Sequence, residues 1–366
     1  MIYCFSPEKG DKMVIPKIFT TQTDITNWSL RRKEILKLFE DNIYGKMPNV
    51  DFDSEEFGRY EHLCLENGFC KDVYRLWLCR NNKMCGMSVE LFYKNSSEPQ
   101  PSIFIVDPFS NNPYIRPSAI ERLRLMDQNW YIASQGYICV CVHVDEMCLD
   151  DPDRCNWGFF ELIDREGSNA TSAISAWAWA MERVRKHLES NPIFDKNRMI
   201  VSGCSRAGKT ALWCGANFEG FTGVFASVSG CSGAAMHRGK TGERIADITK
   251  QFPHWSCPKY AEYSDNEEAL PVDQHMLLAL IAPRPLYISS ASEDDWACPK
   301  KEFESCVLAG EAYYALGKRG LASEEFPKLD SPIIGGDIQY HIRKGPHGVF
   351  MYDWEQVIPF FNREFI

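Results

Sequence analysis

The sequence has no apolar run of the roughly 20 residues that a membrane-spanning helix needs, so no such helix is predicted. It is also short of positive charge. Its 40 Lys and Arg face 50 Asp and Glu, a formal net charge of -10. That excludes a general nucleic-acid binder, which would carry a basic face. It leaves room for an anionic small substrate, since a site needs only one or two local cations. There is no H-E-x-x-H, no Cys-x-x-Cys and no paired histidine spacing, so no catalytic metal is expected. No internal repeat, low-complexity tract or long linker breaks the chain. The first residues, Met1 to Lys12, lack a basic segment followed by an apolar core and do not read as a secretory signal.

What is present describes a large folded protein. Over 366 residues, 45% are hydrophobic and 25% charged, ample for a sizeable core. Fifteen cysteines are scattered along it. Several of them (Cys139, Cys141, Cys204, Cys214) fall in apolar segments, where a reduced thiol acts as a small hydrophobe. The expected setting is a reducing one, the cytoplasm, or a secreted or periplasmic one if a leader has been trimmed away. No second core is evident. The expectation is a single domain over residues 1–366, with residues 1–100 forming an N-terminal helix and antiparallel strand extension.

The periodicities order the elements. Apolar residues Trp28, Ile35, Leu36, Phe39 and Ile43 share one face of a helix that Gly45 and Pro48 stop. Val73–Cys79 and Met87–Tyr93 alternate as strands, and Ser102–Asp107 and Tyr137–His143 are buried strand runs. A helix is predicted near Ala119–Gln128 and another over Ala170–Leu188. Strands over Arg198–Cys204, Gly223–Val228, Pro285–Ser290 and Ile338–Ile342 follow, with helices at Phe303–Leu316 and Val349–Phe361. Strands alternating with helices from about residue 100 predict an α/β fold with a mostly parallel central sheet flanked by helices.

One stretch carries the chemistry. Arg198-Met199-Ile200-Val201-Ser202-Gly203-Cys204-Ser205-Arg206-Ala207-Gly208-Lys209 is an apolar strand run that ends in small residues around a serine and enters a helix. That is the pattern of a nucleophile elbow, in which the hydroxyl stands clear of the sheet at a helix N-terminus. Ala207 takes the place of the last glycine in G-x-S-x-G. A serine needs a base, and the base an orienting acid. In the α/β-hydrolase order, serine, acid, histidine, the acid falls after Leu286–Ser290, within Glu293-Asp294-Asp295. The histidine falls after the last strand, at His347 in Gly345-Pro346-His347-Gly348. Each piece alone has a structural reading, a solvated acidic loop or a turn histidine. Together, each after the correct strand, they form a triad. His237 and His275 lie near candidate site loops as reserves. Arg206 follows the nucleophile, where its charge could meet a developing oxyanion. Lys209 lies one helical turn on, either a snorkelling lysine or a donor to substrate.

Gly203-Cys204-Ser205-Arg206-Ala207-Gly208-Lys209 resembles the G-C-S-R-x-G-K motif of the glucuronoyl esterases, carbohydrate esterase family 15. The likeness extends to Ser229-Gly230-Cys231-Ser232-Gly233-Ala234-Ala235, to Leu270–His275 with Ala282-Pro283-Arg284-Pro285, and to Asp294–Pro299. At the N-terminus, Arg31–Leu36 through Tyr44-Gly45-Lys46-Met47-Pro48 is similar to the bacterial members. The resemblance implies an α/β-hydrolase fold, no cofactor, and cleavage of esters between 4-O-methyl-glucuronic acid on xylan and lignin alcohols. It implies Ser205 as nucleophile, His347 as base, Arg206 as oxyanion stabiliser, Lys209 as a ligand of sugar hydroxyls and Trp296 as a wall of the uronate site.

Fungal members carry the catalytic glutamate just before the Ser-Gly segment, where this chain has Val228. Valine cannot orient a histidine, so the acid is expected from the loop after Ser290, at Asp294 with Asp295 in reserve. Two other functions compete. One is an acetyl (xylan) esterase using the same triad. The other is a non-catalytic carbohydrate-binding protein on a hydrolase scaffold. The expected partner is a carbohydrate ester, with no nucleic acid and no membrane, and the oligomeric state is open.

Overall fold

A computed structural model of the chain describes residues 14–108 and 119–365. The N-terminal segment read above for a leader, and the stretch 109–117 of the loop after Asp107, lie outside the described residues. Nine strands form one sheet: β1 (Ser54–Cys64), β2 (Phe69–Arg80), β3 (Lys83–Lys94), β4 (Gln100–Asp107), β5 (Ile138–His143), β6 (Phe194–Cys204), β7 (Gly223–Ser227), β8 (Leu286–Ala291) and β9 (Ile338–Arg343). Their order is β1-β2-β3-β5-β4-β6-β7-β8-β9. The first three pair antiparallel, and β3 meets β5 antiparallel. From β5 to β9 every pairing is parallel. This is the mixed sheet with an N-terminal antiparallel extension that the alternation predicts.

Why the sheet needs helices on both sides follows from its strands. Successive side chains point to opposite faces, and here both faces are apolar. Ile103, Ile200, Phe225 and Tyr287 pack with Trp354, Val357 and Phe361 of the C-terminal helix Met351–Glu364. Their neighbours Phe104, Val201, Val224 and Ile288 face the larger core with Trp177, Trp213 and Leu277. The first predicted helix is α-helical over Trp28–Phe39 and widens to a π-turn over Glu40–Tyr44. The helix predicted near Ala119–Gln128 continues to Ser134. Among the described residues, no helix is long and apolar enough to cross a membrane.

The cysteines depart from the expectation in one place. Twelve of the described ones are free thiols, but Cys64 and Cys70 form a disulfide. They sit directly opposite in the β1–β2 register. A two-strand pairing at a hairpin end brings them together, and spacing alone does not reveal it.

The order of β5, β4 and β6 matters for function. The chain runs from β4 to β5 on one side and crosses to β6 on the other. Such a reversal opens a crevice at the carboxyl ends of the strands, where α/β proteins place their sites. Ser205 follows β6, Asp294 follows β8 and His347 follows β9, all at those carboxyl ends.

Candidate active site

Ser205 sits between β6 and the helix Arg206–Asn217 with φ 60° and ψ -124°. A non-glycine residue at positive φ is costly and persists only when its surroundings hold it there. Here the Ser205 N–H donates to the Ser227 carbonyl at 2.9 Å, and the Ser205 carbonyl accepts from Lys209 N–H at 3.0 Å. The turn is so tight that a Cβ on Gly203 would lie 2.1 Å from the Ala207 carbonyl oxygen. Glycine is therefore required at 203. Ala207 is itself buried against the strand, which is why a small residue, though not glycine, serves at the motif's last position.

His347 lies in the loop after β9, with its side chain half exposed and its Nδ1 2.6 Å from Asp294 Oδ2. The Asp294 side chain is 5% exposed. Asp295, one residue on, is exposed. Nδ1–H donating to the Asp294 carboxylate leaves Nε2 as the unprotonated nitrogen, the form a general base needs. The loop is gripped from below by Arg343. Its guanidinium donates to the Pro346 carbonyl at 2.9 Å and to the Gly348 carbonyl, on either side of His347, and its Nε donates to Asp353 at 2.9 Å. The acid and base loops are also tied together, through Glu293 N–H to the Gly345 carbonyl at 3.0 Å and Gly345 N–H to Ser292 Oγ at 3.1 Å.

Arg206 is held in a cage. Its guanidinium pairs with Asp150. It lies 4.5 Å from the Trp255 ring and 5.1 Å from Phe252, which stack on each other. Asp150 is buried and also accepts from His254 Nε2 at 2.9 Å and Trp255 Nε1 at 2.7 Å. Burial pushes its carboxyl up. The His254 hydrogen bond, the Arg206 charge and the Trp255 hydrogen bond outweigh that and hold it below the ordinary carboxylate value. Arg206 thus faces an ionised partner. The loop 145–156 reaches the site in this way.

For Lys209 the sequence leaves two readings, a snorkelling lysine and a donor to substrate. It is buried, and its Nζ donates to the Ser229 carbonyl at 2.8 Å, the Cys231 carbonyl at 2.6 Å and Glu243 Oε2 at 3.1 Å. An ammonium has three hydrogens, and all three are spent within the protein. Its ionic partner is the largely buried Glu243, which the sequence reading missed. No motif marks Glu243. Its partner is 34 residues away in the chain. Its N–H donates to the Trp296 carbonyl at 2.9 Å. A Cβ on Gly242 would lie 2.5 Å from the Asp295 and Trp296 carbonyl oxygens. The Trp296 side chain is 52% exposed, an aromatic surface fixed beside Glu243 and two residues from Asp294.

The reserve histidines belong elsewhere. His237 is buried between Asp273 and the Tyr260 hydroxyl, 2.6 Å from its Nε2. His275 is buried with Nε2 2.9 Å from the Pro16 carbonyl. Val228, where fungal members have their acid, is buried with φ 42°.

The chain is similar to known proteins in both sequence and fold. The model of the family described as glucuronyl esterase, fungi, matches residues 120–317. Carbohydrate esterase MZ0003, from an unknown prokaryotic organism, is 41% identical over 200 residues, 55% of this chain and 46% of its own. The 4-O-methyl-glucuronoyl methylesterase 1 of Wolfiporia cocos is 31% identical over 190 residues, 49% of this chain and 47% of its own. The matched segments span about half the length of these curated relatives. Among solved structures, a glucuronoyl esterase from Solibacter usitatus superposes with a TM-score of 0.87 at 28% identity, covering 96% of this chain and 98% of that one. A structure described as a promiscuous esterase of carbohydrate esterase family 15, from a marine bacterial metagenome, superposes with a TM-score of 0.85 at 26% identity over 96% and 97%. With more than half of its length matched by the family model, the chain belongs to the glucuronyl esterase family.

Proposed function

We propose that this protein is a serine carboxylic-ester hydrolase that cleaves esters of glucuronic acid, including its 4-O-methyl form. The observation that carries the reading is the contact of His347 Nδ1 with Asp294 Oδ2 at 2.6 Å, in the two loops that follow β8 and β9, at the same sheet edge as the strained Ser205. Ser205 Oγ attacks the ester carbonyl while His347 Nε2 takes its proton. Asp294 stabilises the imidazolium that forms. The oxyanion is met by backbone N–H at the start of the helix Arg206–Asn217 and by the caged Arg206 charge. The carbonyl re-forms, the alcohol leaves with the proton from His347, and a uronoyl-serine ester remains. Water repeats the sequence, and the free uronic acid leaves. Glu243, oriented by Lys209, accepts from sugar hydroxyls, and Trp296 covers the ring's apolar face. The names of the relatives, 4-O-methyl-glucuronoyl methylesterase and glucuronoyl esterase, support the uronate as the acyl side.

A second reading is an acetyl esterase acting on acetylated sugars. A neighbour described as promiscuous favours it. Turnover of methyl and benzyl glucuronate against 4-nitrophenyl acetate and acetylated xylo-oligosaccharides separates the two. Labelling of Ser205 by a fluorophosphonate tests the nucleophile independently of the substrate, and an unlabelled folded protein favours a non-catalytic binding role.

A further inference from the structure

Behind Asp294 lies a second carboxyl that the triad does not use. Glu302 is in the first turn of the helix Pro299–Ala315 and is fully buried. Its Oε1 accepts from Gly230 N–H at 2.9 Å and Ser229 Oγ at 3.2 Å, and its Oε2 accepts from Ser290 Oγ at 2.6 Å. All three donors are neutral. Lys301, its neighbour, pairs with Glu304 instead. Three parts of the site meet at this one side chain. Ser290 is the penultimate residue of β8, four residues before Asp294. Ser229 and Gly230 form the turn after β7, and the Ser229 carbonyl accepts from Lys209. Tyr340 of β9 donates its hydroxyl to Ser290 Oγ at 2.9 Å.

We propose that Glu302 is a positioning residue for the Asp294–His347 pair and that its ionisation switches the strength of the base. The proposal rests on the reading of Ser205, His347 and Asp294 as a triad. A negative charge at Glu302 adds to that of Asp294 and stabilises the imidazolium that forms as Ser205 loses its proton. A neutral Glu302 does not. Its setting makes that change fall at neutral pH. Burial pushes its carboxyl up to about 7, against the Ser290 and Gly230 hydrogen bonds, and the Asp294 charge adds to the rise. Two of the groups that face it stay neutral through this range. Burial and the Glu302 charge push the Cys306 thiol on the same helix and the Tyr340 hydroxyl on β9 well up. Asp294 is the anion whose charge adds to the rise at Glu302. In the turn after β7 the Cys231 thiol is also brought to about 7, where burial pushes it up and the Lys240 and His237 charges pull it down.

The test is the rate of Ser205 labelling by a fluorophosphonate in the full chain, from about pH 5 to about pH 9. His347 must be unprotonated in both proteins, so the readout is the ratio of the wild-type to the Glu302→Gln rate, which should rise through an inflection near pH 7. Labelling of the variant should be about tenfold slower at high pH and within about threefold of wild type at low pH. Ser290→Ala removes a donor that holds Glu302 down, so its inflection should move to higher pH. Cys231→Ala should keep the inflection if Glu302 is its source, and loss of the inflection there would overturn the proposal. A role in folding alone lowers the rate equally at every pH. A Glu302→Gln profile with the wild-type shape, or a Ser290→Ala inflection that stays in place, overturns the proposal. Absence of Ser205 labelling in wild type overturns it together with the triad. Labelling that follows Glu302 in a protein that does not turn over uronate esters supports the proposal and removes only the uronate substrate.

Discussion

His347 reaches Asp294 at 2.6 Å and leaves Asp295, one residue on, exposed. The two aspartates differ only in which way the turn after β8 faces. Asp294 N–H closes that turn on the Ala291 carbonyl, and Asp294 Oδ1 accepts from Ala297 N–H at 3.3 Å. Asp294→Asn should therefore lower kcat by at least about 100-fold, because an amide at 294 stabilises neither the base's working tautomer nor the imidazolium. Asp295→Asn should stay within about twofold of wild type. Steady-state rates of the two variants on one ester check this, and the reverse order moves the acid to Asp295.

Arg206 and Asp150 should act on the transition state rather than on binding. Arg206→Ala should lower kcat about 100-fold with little change in KM, the mark of an interaction made to developing charge. Asp150→Asn keeps the guanidinium but frees it from one wall of its cage, and a smaller loss, about tenfold, is expected. A rise in KM at constant kcat in Arg206→Ala would assign Arg206 to ground-state binding instead.

Much of this was legible in the sequence, and what was not has a common cause. Buried parallel strands appear as continuous apolar runs, so β4 to β9 fall where the periodicity puts them to within a few residues. The elbow is local, a strand, small residues and a helix within twelve positions, and so it is visible. Asp294 against Asp295 is a matter of one loop residue, decided by hydrogen bonds that local composition does not encode. Asp150, Glu243, Glu302 and Arg343 escaped notice because their contacts come from the topology. Asp150 meets Arg206 across 56 residues, and Glu302 meets Gly230 across 72. The contacts of Lys209 were hidden for a different reason. Its place on the helix was right, but only the fold shows that the turn after β7 consumes its three hydrogens.

Glu243 and Lys209 should separate by what they disturb. Glu243→Gln should raise KM for a glucuronate ester about tenfold, the scale of one charge-assisted hydrogen bond, and leave fluorophosphonate labelling of Ser205 unchanged. Lys209→Met strips a largely buried carboxylate of its cation and two carbonyls of their donor. It should destabilise the fold by about 3–5 kcal/mol, measured by denaturant unfolding. A stable Lys209→Met protein with a raised KM would restore Lys209 as a direct ligand of the sugar.

The most direct test of the account is kcat/KM for benzyl glucuronate against acetylated xylo-oligosaccharides, measured on wild type and on Ser205→Ala. The account predicts that wild type prefers the glucuronate ester by about tenfold or more and that Ser205→Ala loses both activities. Equal or faster turnover of the acetyl esters by wild type would contradict the assignment of the uronate as the acyl group.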